Sequence, residues 1–98
     1  MLTALPALLS VVADVHKYAF CTSRIQPINN NNNEAATRKA CAAYKKRNTG
    51  NKQWDKCPDC TVDPTYCAIA CNSAGSHIGG DEWLYYCEQN GADGADAY

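Results

Sequence analysis

Apolar positions along this chain form one long run followed by several short, interrupted patterns. The run is "LTALPALLSVVA", Leu2 to Ala13, broken only by Thr3, Pro6 and Ser10. It is too short for a bilayer span, which takes about 20 apolar residues. Its length suits the hydrophobic centre of a secretory signal, and "VVA" before Asp14 fits the cleavage rule. No Lys or Arg precedes it, so the positive flank of such a signal is missing. Residues 1–13 are expected to be a signal-peptide remnant, and 14–98 a single domain.

Past Asp14, "VHKYAFCTSRI" alternates imperfectly and is rich in aromatic and β-branched residues, which predicts a strand around Val15 to Ile25. Pro27 and the asparagine run Asn29 to Asn33 then predict a polar loop. "NEAATRKACAAYKKR" carries the clearest helix signal. Asn33 can cap it, Glu34 suits the first turn, and Lys45, Lys46 and Arg47 complement the dipole at its end. Ala36, Ala40 and Tyr44 recur at helical spacing with Thr37 and Cys41 beside them. The inward stripe is therefore made of small residues, which lets a sheet approach closely. "TYCAIAC" reads as a short strand and "NSAGSHIGGD" as a loop. In "DEWLYYCEQNG", Asp81 as cap and Gly91 as terminator favour a helix with Trp83, Leu84 and Cys87 inward over a strand. "ADGADAY" lacks branched residues and predicts a frayed acidic tail from about residue 92.

These elements define an α+β chain: a short antiparallel sheet packed by one or two helices. The chain has one Phe, one Met and few large aliphatic residues after its first segment. A core of that kind is marginal at this size, so another source of stability is required. Seven cysteines supply the candidate: Cys21, Cys41, Cys57, Cys60, Cys67, Cys71 and Cys87. A four-thiolate zinc site from Cys57, Cys60, Cys67 and Cys71 fits poorly, because the spacer between the two pairs is short and holds Pro64. A redox Cys-Pro-x-Cys at a helix start fits no better, since Pro64 would stop that helix. Disulfide staples fit: each long-range bridge contributes roughly 3 kcal/mol by restricting the unfolded chain. Cys41 and Cys87 are expected to pair with the central cluster and Cys21 to tie down the first strand. The odd count leaves one thiol over. No cofactor or metal is indicated.

Charge is segregated. Seven of nine basic residues lie between Arg38 and Lys56, and from Cys57 onward there are seven acidic residues and no basic one. The net charge of −1 gives no strong nucleic-acid signal. It also weakens the case for an antimicrobial or killer-type membrane-active toxin, a class that is usually strongly basic. His16 and His77, with Lys17 or Lys39, sketch a small ribonuclease-like enzyme, but neither histidine sits in a discriminating motif, so no catalytic residue is assigned. Two groups suit partner binding: the basic face of Lys39, Lys45, Lys46 and Arg47, and the aromatic group Trp83, Tyr85 and Tyr86.

The cysteine spacing, "ATRKACAAY" and "HIGGDEWLYYCEQNGADG" together resemble the small secreted cysteine-rich proteins of filamentous fungi, many of them candidate effectors. Such proteins often carry Cys-x-Cys near the first strand. Here Cys21-Thr22-Ser23 departs from that, with Ser23 standing where a partner cysteine would be. The resemblance implies a secreted, extracellular, monomeric α+β protein, with a killer-toxin-like α/β sandwich compatible with the element order. It implies binding to a host protein or surface component as a virulence function, and it carries no catalytic residues.

Overall fold

The computed structural model describes residues 15–24, 32–65 and 68–98. Residues 1–13, read above as a signal remnant, lie outside these, as does Cys67. Among the described residues the elements are β1 (Val15–His16), β2 (Tyr18–Thr22), α1 (Glu34–Lys45), β3 (Thr61–Thr65), β4 (Ala68–Asn72), β5 (Ile78–Gly79), α2 (Gly80–Gln89) and β6 (Gly94–Ala97). Strands β3-β4-β2-β6 form one antiparallel sheet in that order, and β1 pairs with β5. The result is an α+β disulfide-rich domain.

The predicted strand from Val15 is split at Lys17 into β1 and β2. Its alternation survives in β2, where Ala19 and Cys21 are buried and Tyr18, Phe20 and Thr22 are half-buried. Helix α1 forms where expected. The Asn33 side chain accepts from the Ala36 N–H at 3.0 Å and donates to Ser23 Oγ at 2.9 Å, closing the helix start against the end of β2. Its buried face is Ala36, Thr37, Ala40, Cys41 and Tyr44, the small-residue stripe. Thr37 is fully buried yet satisfied: its hydroxyl donates to Asn33 O and accepts from Cys21 N. A helix side chain thereby takes over a hydrogen bond that the sheet ladder leaves open.

Helix α2 also forms, but it begins before Asp81. Gly79 is its cap, with no side-chain hydrogen bond. The reason is packing. Gly79 pairs with Val15, donates its N–H to the Tyr44 hydroxyl at 3.0 Å, and sits where an added Cβ would lie 2.9 Å from Trp54 Cβ. Strand β5 therefore runs straight into the helix. At the other end Gly91, at φ 88°, takes the left-handed conformation that lets Ala92 N–H reach Cys87 O at 3.0 Å.

The segment expected to fray is instead β6. It pairs with β2 from Ala19↔Ala97 to Thr22↔Gly94, and Tyr98 and Tyr18 exchange both backbone hydrogen bonds at 2.8 and 2.9 Å. Asp93 also accepts the Arg24 N–H. β2 has an open edge, and backbone pairing on it does not require branched side chains. Strand β3, unpredicted because of Pro64, lies at the other edge, where a missing N–H is tolerated.

Three disulfides lock this arrangement. Cys41–Cys71 joins α1 to β4, Cys21–Cys87 joins β2 to α2, and Cys57–Cys60 closes the turn before β3. Each helix is thus bonded to a central strand. Cys41 pairs within the central cluster as expected. Cys87 does not: it takes Cys21, because α2 packs over β2 and β6. All six cysteines among the described residues are paired in these three bridges.

Candidate binding surface

The basic and aromatic groups lie on different helices, yet part of each meets in one ridge. Lys39, Ala43 and the capping Lys46 recur at spacings that place them along one flank of α1, and Arg47 follows just past the helix end. Arg47 ties that flank to α2. Its guanidinium donates to Trp54 O at 3.0 Å and to the Tyr86 hydroxyl at 3.3 Å, and it approaches Asp55 at 3.7 Å. The same group lies 5.5 Å from the Tyr44 ring centre and 5.8 Å from that of Tyr86. Burial works against its charge, but the Tyr86 hydroxyl and the neighbouring Tyr44 more than offset this, so its pKa is raised. Tyr85 packs edge-on to Tyr86 at 5.4 Å and remains 55% exposed.

Arg47, Tyr86 and Tyr85 are therefore joined by successive contacts and Lys39 and Lys46 are exposed along and just after α1, while two residues grouped with them from the sequence lie elsewhere. Lys45 turns the other way and donates to Pro58 O at 3.2 Å and Cys60 O at 3.3 Å. Trp83 is fully buried against Tyr44 and cannot reach a partner. The helical period points it into the core with Cys87, whereas Leu84, expected inward with them, is only half-buried because it lies one step round the helix from that face. Arg47 itself is half-buried and anchors the ridge as much as it decorates it.

Sequence reasoning gave Tyr44 a core position but missed its polar role. Its hydroxyl donates to Trp54 O at 2.9 Å, also lies 3.3 Å from His77 O, and accepts the Gly79 N–H. Burial pushes its pKa up to about 12 from 10.0. The folded state thus keeps the phenol neutral while the unfolded chain begins to ionise, so stability falls as pH rises between these values. Alkaline unfolding is expected to show this fall, and Tyr44→Phe to remove most of the pH dependence above 10 while lowering stability at neutral pH. Fluorescence-monitored denaturation from pH 8 to 12 measures both.

The histidines build structure. His77 Nδ1 lies 2.9 Å from Gln53 O, an acceptor only, so this nitrogen carries the proton. The Ser73 hydroxyl donates to Asp59 at 2.7 Å and accepts the His77 N–H, while Gly75 N–H donates to the other Asp59 oxygen. Burial opposes the Asp59 charge, but these two donors and His77 outweigh it, leaving its pKa lowered. The Ser73 hydroxyl is thus held between the Asp59 carboxylate and the His77 backbone N–H. His16 pairs with Ile78 in the β1–β5 ribbon, and Lys17 is exposed in the break before β2.

No helix among the described residues is long and apolar enough to cross a membrane. Two helices stapled by disulfides to one side of a small sheet, with charge sorted along the chain, define a small secreted cysteine-rich α+β protein. The family model for biotrophy-associated secreted protein 4 matches residues 14–95, and the chain belongs to that family of fungal secreted effectors. The protein is accordingly extracellular and disulfide-bonded. No curated protein and no solved structure matches it.

Proposed function

We propose that the protein acts by binding rather than by catalysis, docking on a host component through the ridge of Lys39, Lys46, Arg47, Tyr85 and Tyr86. The observation that carries this reading is the Arg47 guanidinium lodged against Tyr86, with exposed Tyr85 packed alongside. Arg and Tyr are the residues most enriched where binding energy concentrates. A side chain already held in place loses little freedom on docking, so a rigid ridge favours affinity. Lys39 and Lys46 are exposed and pair with no carboxylate among the described residues, so the complementary surface is acidic.

Saturation binding of the labelled protein to host tissue tests this. Tyr85→Ala combined with Lys46→Glu is expected to weaken binding at least about tenfold, equivalent to roughly 1.4 kcal/mol. Both positions are exposed, so the denaturation midpoint should fall only slightly, by the loss of one favourable charge at the end of α1 and one exposed ring contact. Equal binding by the folded double variant would remove the ridge as the interface. Leakage of dye from anionic vesicles, or RNA cleavage lost in His77→Ala, would instead favour the toxin or nuclease readings.

A further inference from the structure

Most basic residues between Arg38 and Lys56 already have a place. Arg38 pairs with Glu34 at 3.0 Å, Arg47 approaches Asp55, Lys45 donates to carbonyls of the Cys57–Cys60 turn, and Lys39 and Lys46 belong to the ridge. Lys52 and Lys56 are left. Both are exposed, and neither is in an ion pair among the described residues. Both line a cleft of about 280 Å³, with Asn51, Gln53, Pro58 and His77 among its other walls. None of the described residues lining it carries a carboxylate.

Three segments hold these walls in place. The loop bearing both lysines is closed by the Asn48↔Lys56 bridge and by Thr49 N–H donating to Asp55 O at 3.1 Å. The Gln53 amide donates to Gly75 O and Ser76 O, and His77 Nδ1–H donates back to Gln53 O at 2.9 Å, which ties that loop to the turn before β5. Pro58 is set by the Cys57–Cys60 disulfide. The two nearby carboxylates are engaged elsewhere. Asp55 tempers the Lys52 charge, but it accepts from Thr49 Oγ1 and the Lys52 N–H and approaches Arg47. Asp59 accepts from Ser73 Oγ and the Gly75 N–H.

We propose that this cleft, separate from the ridge, binds a compact ligand carrying two phosphoryl groups. A lysine ammonium binds phosphate as a point charge, and two of them on one loop suit two anionic groups. Each phosphoryl group brings a charge of about −1.5 to −2 near neutral pH and three acceptor oxygens, which the lysines and the Asn51 amide can meet. The volume is just under the roughly 300–1,000 Å³ typical of small-molecule sites, so the occupant is a small molecule or one headgroup rather than a polymer. Because the walls are already fixed, little ordering is needed on binding.

The test uses the oxidised full chain in about 0.15 M salt, which screens charges more than about 8 Å away. Inorganic pyrophosphate is titrated in and followed by NMR of the backbone amides. Saturable one-to-one shifts centred on Lys52, Lys56 and His77 are expected. Lys52→Gln and Lys56→Gln should each weaken binding about threefold, and together about tenfold. Both sites are exposed, so these variants stay folded. A ridge variant, Lys39→Gln with Tyr85→Ala, should change affinity less than about twofold, which keeps this site's failure distinct from the ridge's. Vesicles of phosphatidylcholine with and without a phosphatidylinositol bisphosphate separate two sources of the ligand. Retention lost in the Lys52→Gln, Lys56→Gln variant assigns a lipid headgroup, and pyrophosphate binding without retention assigns a soluble compound. Wild-type affinity in that double variant, an equal loss in the ridge variant, or orthophosphate binding as tightly as pyrophosphate would overturn the assignment.

Discussion

Replacing Cys21 and Cys87 together by serine is expected to destabilise the oxidised protein by about 4 kcal/mol, the largest effect of opening any one disulfide. The chain separation spanned is 66 residues, against 30 for Cys41–Cys71 and 3 for Cys57–Cys60. Loop-closure entropy grows with the logarithm of that span, so the same model gives only about 2 kcal/mol for the shortest bridge. A small domain is stable by roughly 5–15 kcal/mol, and one with so few large aliphatic residues lies toward the lower end. The Cys21/Cys87 variant should therefore be partly unfolded at 37 °C, while Cys57→Ser with Cys60→Ser remains folded. Urea denaturation of the two variants side by side decides it. Equal midpoints would mean that crosslinking contributes through native geometry instead of through the unfolded chain.

Trp83→Ala should cost about 3–5 kcal/mol, the range for removing a large buried aromatic. Trp83 is fully buried on α2, its ring 6.3 Å from that of Tyr44. Much of the remaining interior is alanine and cystine, which cannot expand to fill the space left behind. The indole N–H has no hydrogen-bond partner among the described residues, which leaves volume as the ring's visible contribution there. Trp83→Phe consequently removes no hydrogen bond and should lose only a part of that stability. Thermal denaturation of both variants separates the two contributions. A Phe variant as unstable as the Ala variant would show that the indole makes a polar contact.

Helix α1 was legible in the sequence down to its cap and its buried stripe, because Asn33, the alanines and Tyr44 obey one local period. Trp83 and Cys87 were legible as the inward side of α2, though Leu84, read as inward with them, is only half-buried. The edges of the sheet were not. "TVDPT" contains a proline and "GADA" has no branched residue, so neither shows a strand pattern; both pair because a neighbouring strand offers an open edge. The partner of Cys87 was hidden for a related reason. Which strand a helix crosses is fixed by sheet order, and that order depends on contacts far apart in the chain. The ridge was half legible: its residues were named, but only the Arg47–Tyr86 contact joins them, and helix rotation removes Lys45 and Trp83 from it.

The order of strands, with β2 held between β4 and β6, also constrains how the protein is made. Cys21 emerges first during translation, and its proper mate, Cys87, is the last cysteine to appear. Throughout that interval Cys21 is exposed to five earlier-arriving candidates, Cys41, Cys57, Cys60, Cys67 and Cys71, any of which can trap it wrongly. Production in a secretory pathway equipped with a disulfide isomerase is the condition under which the correct isomer accumulates.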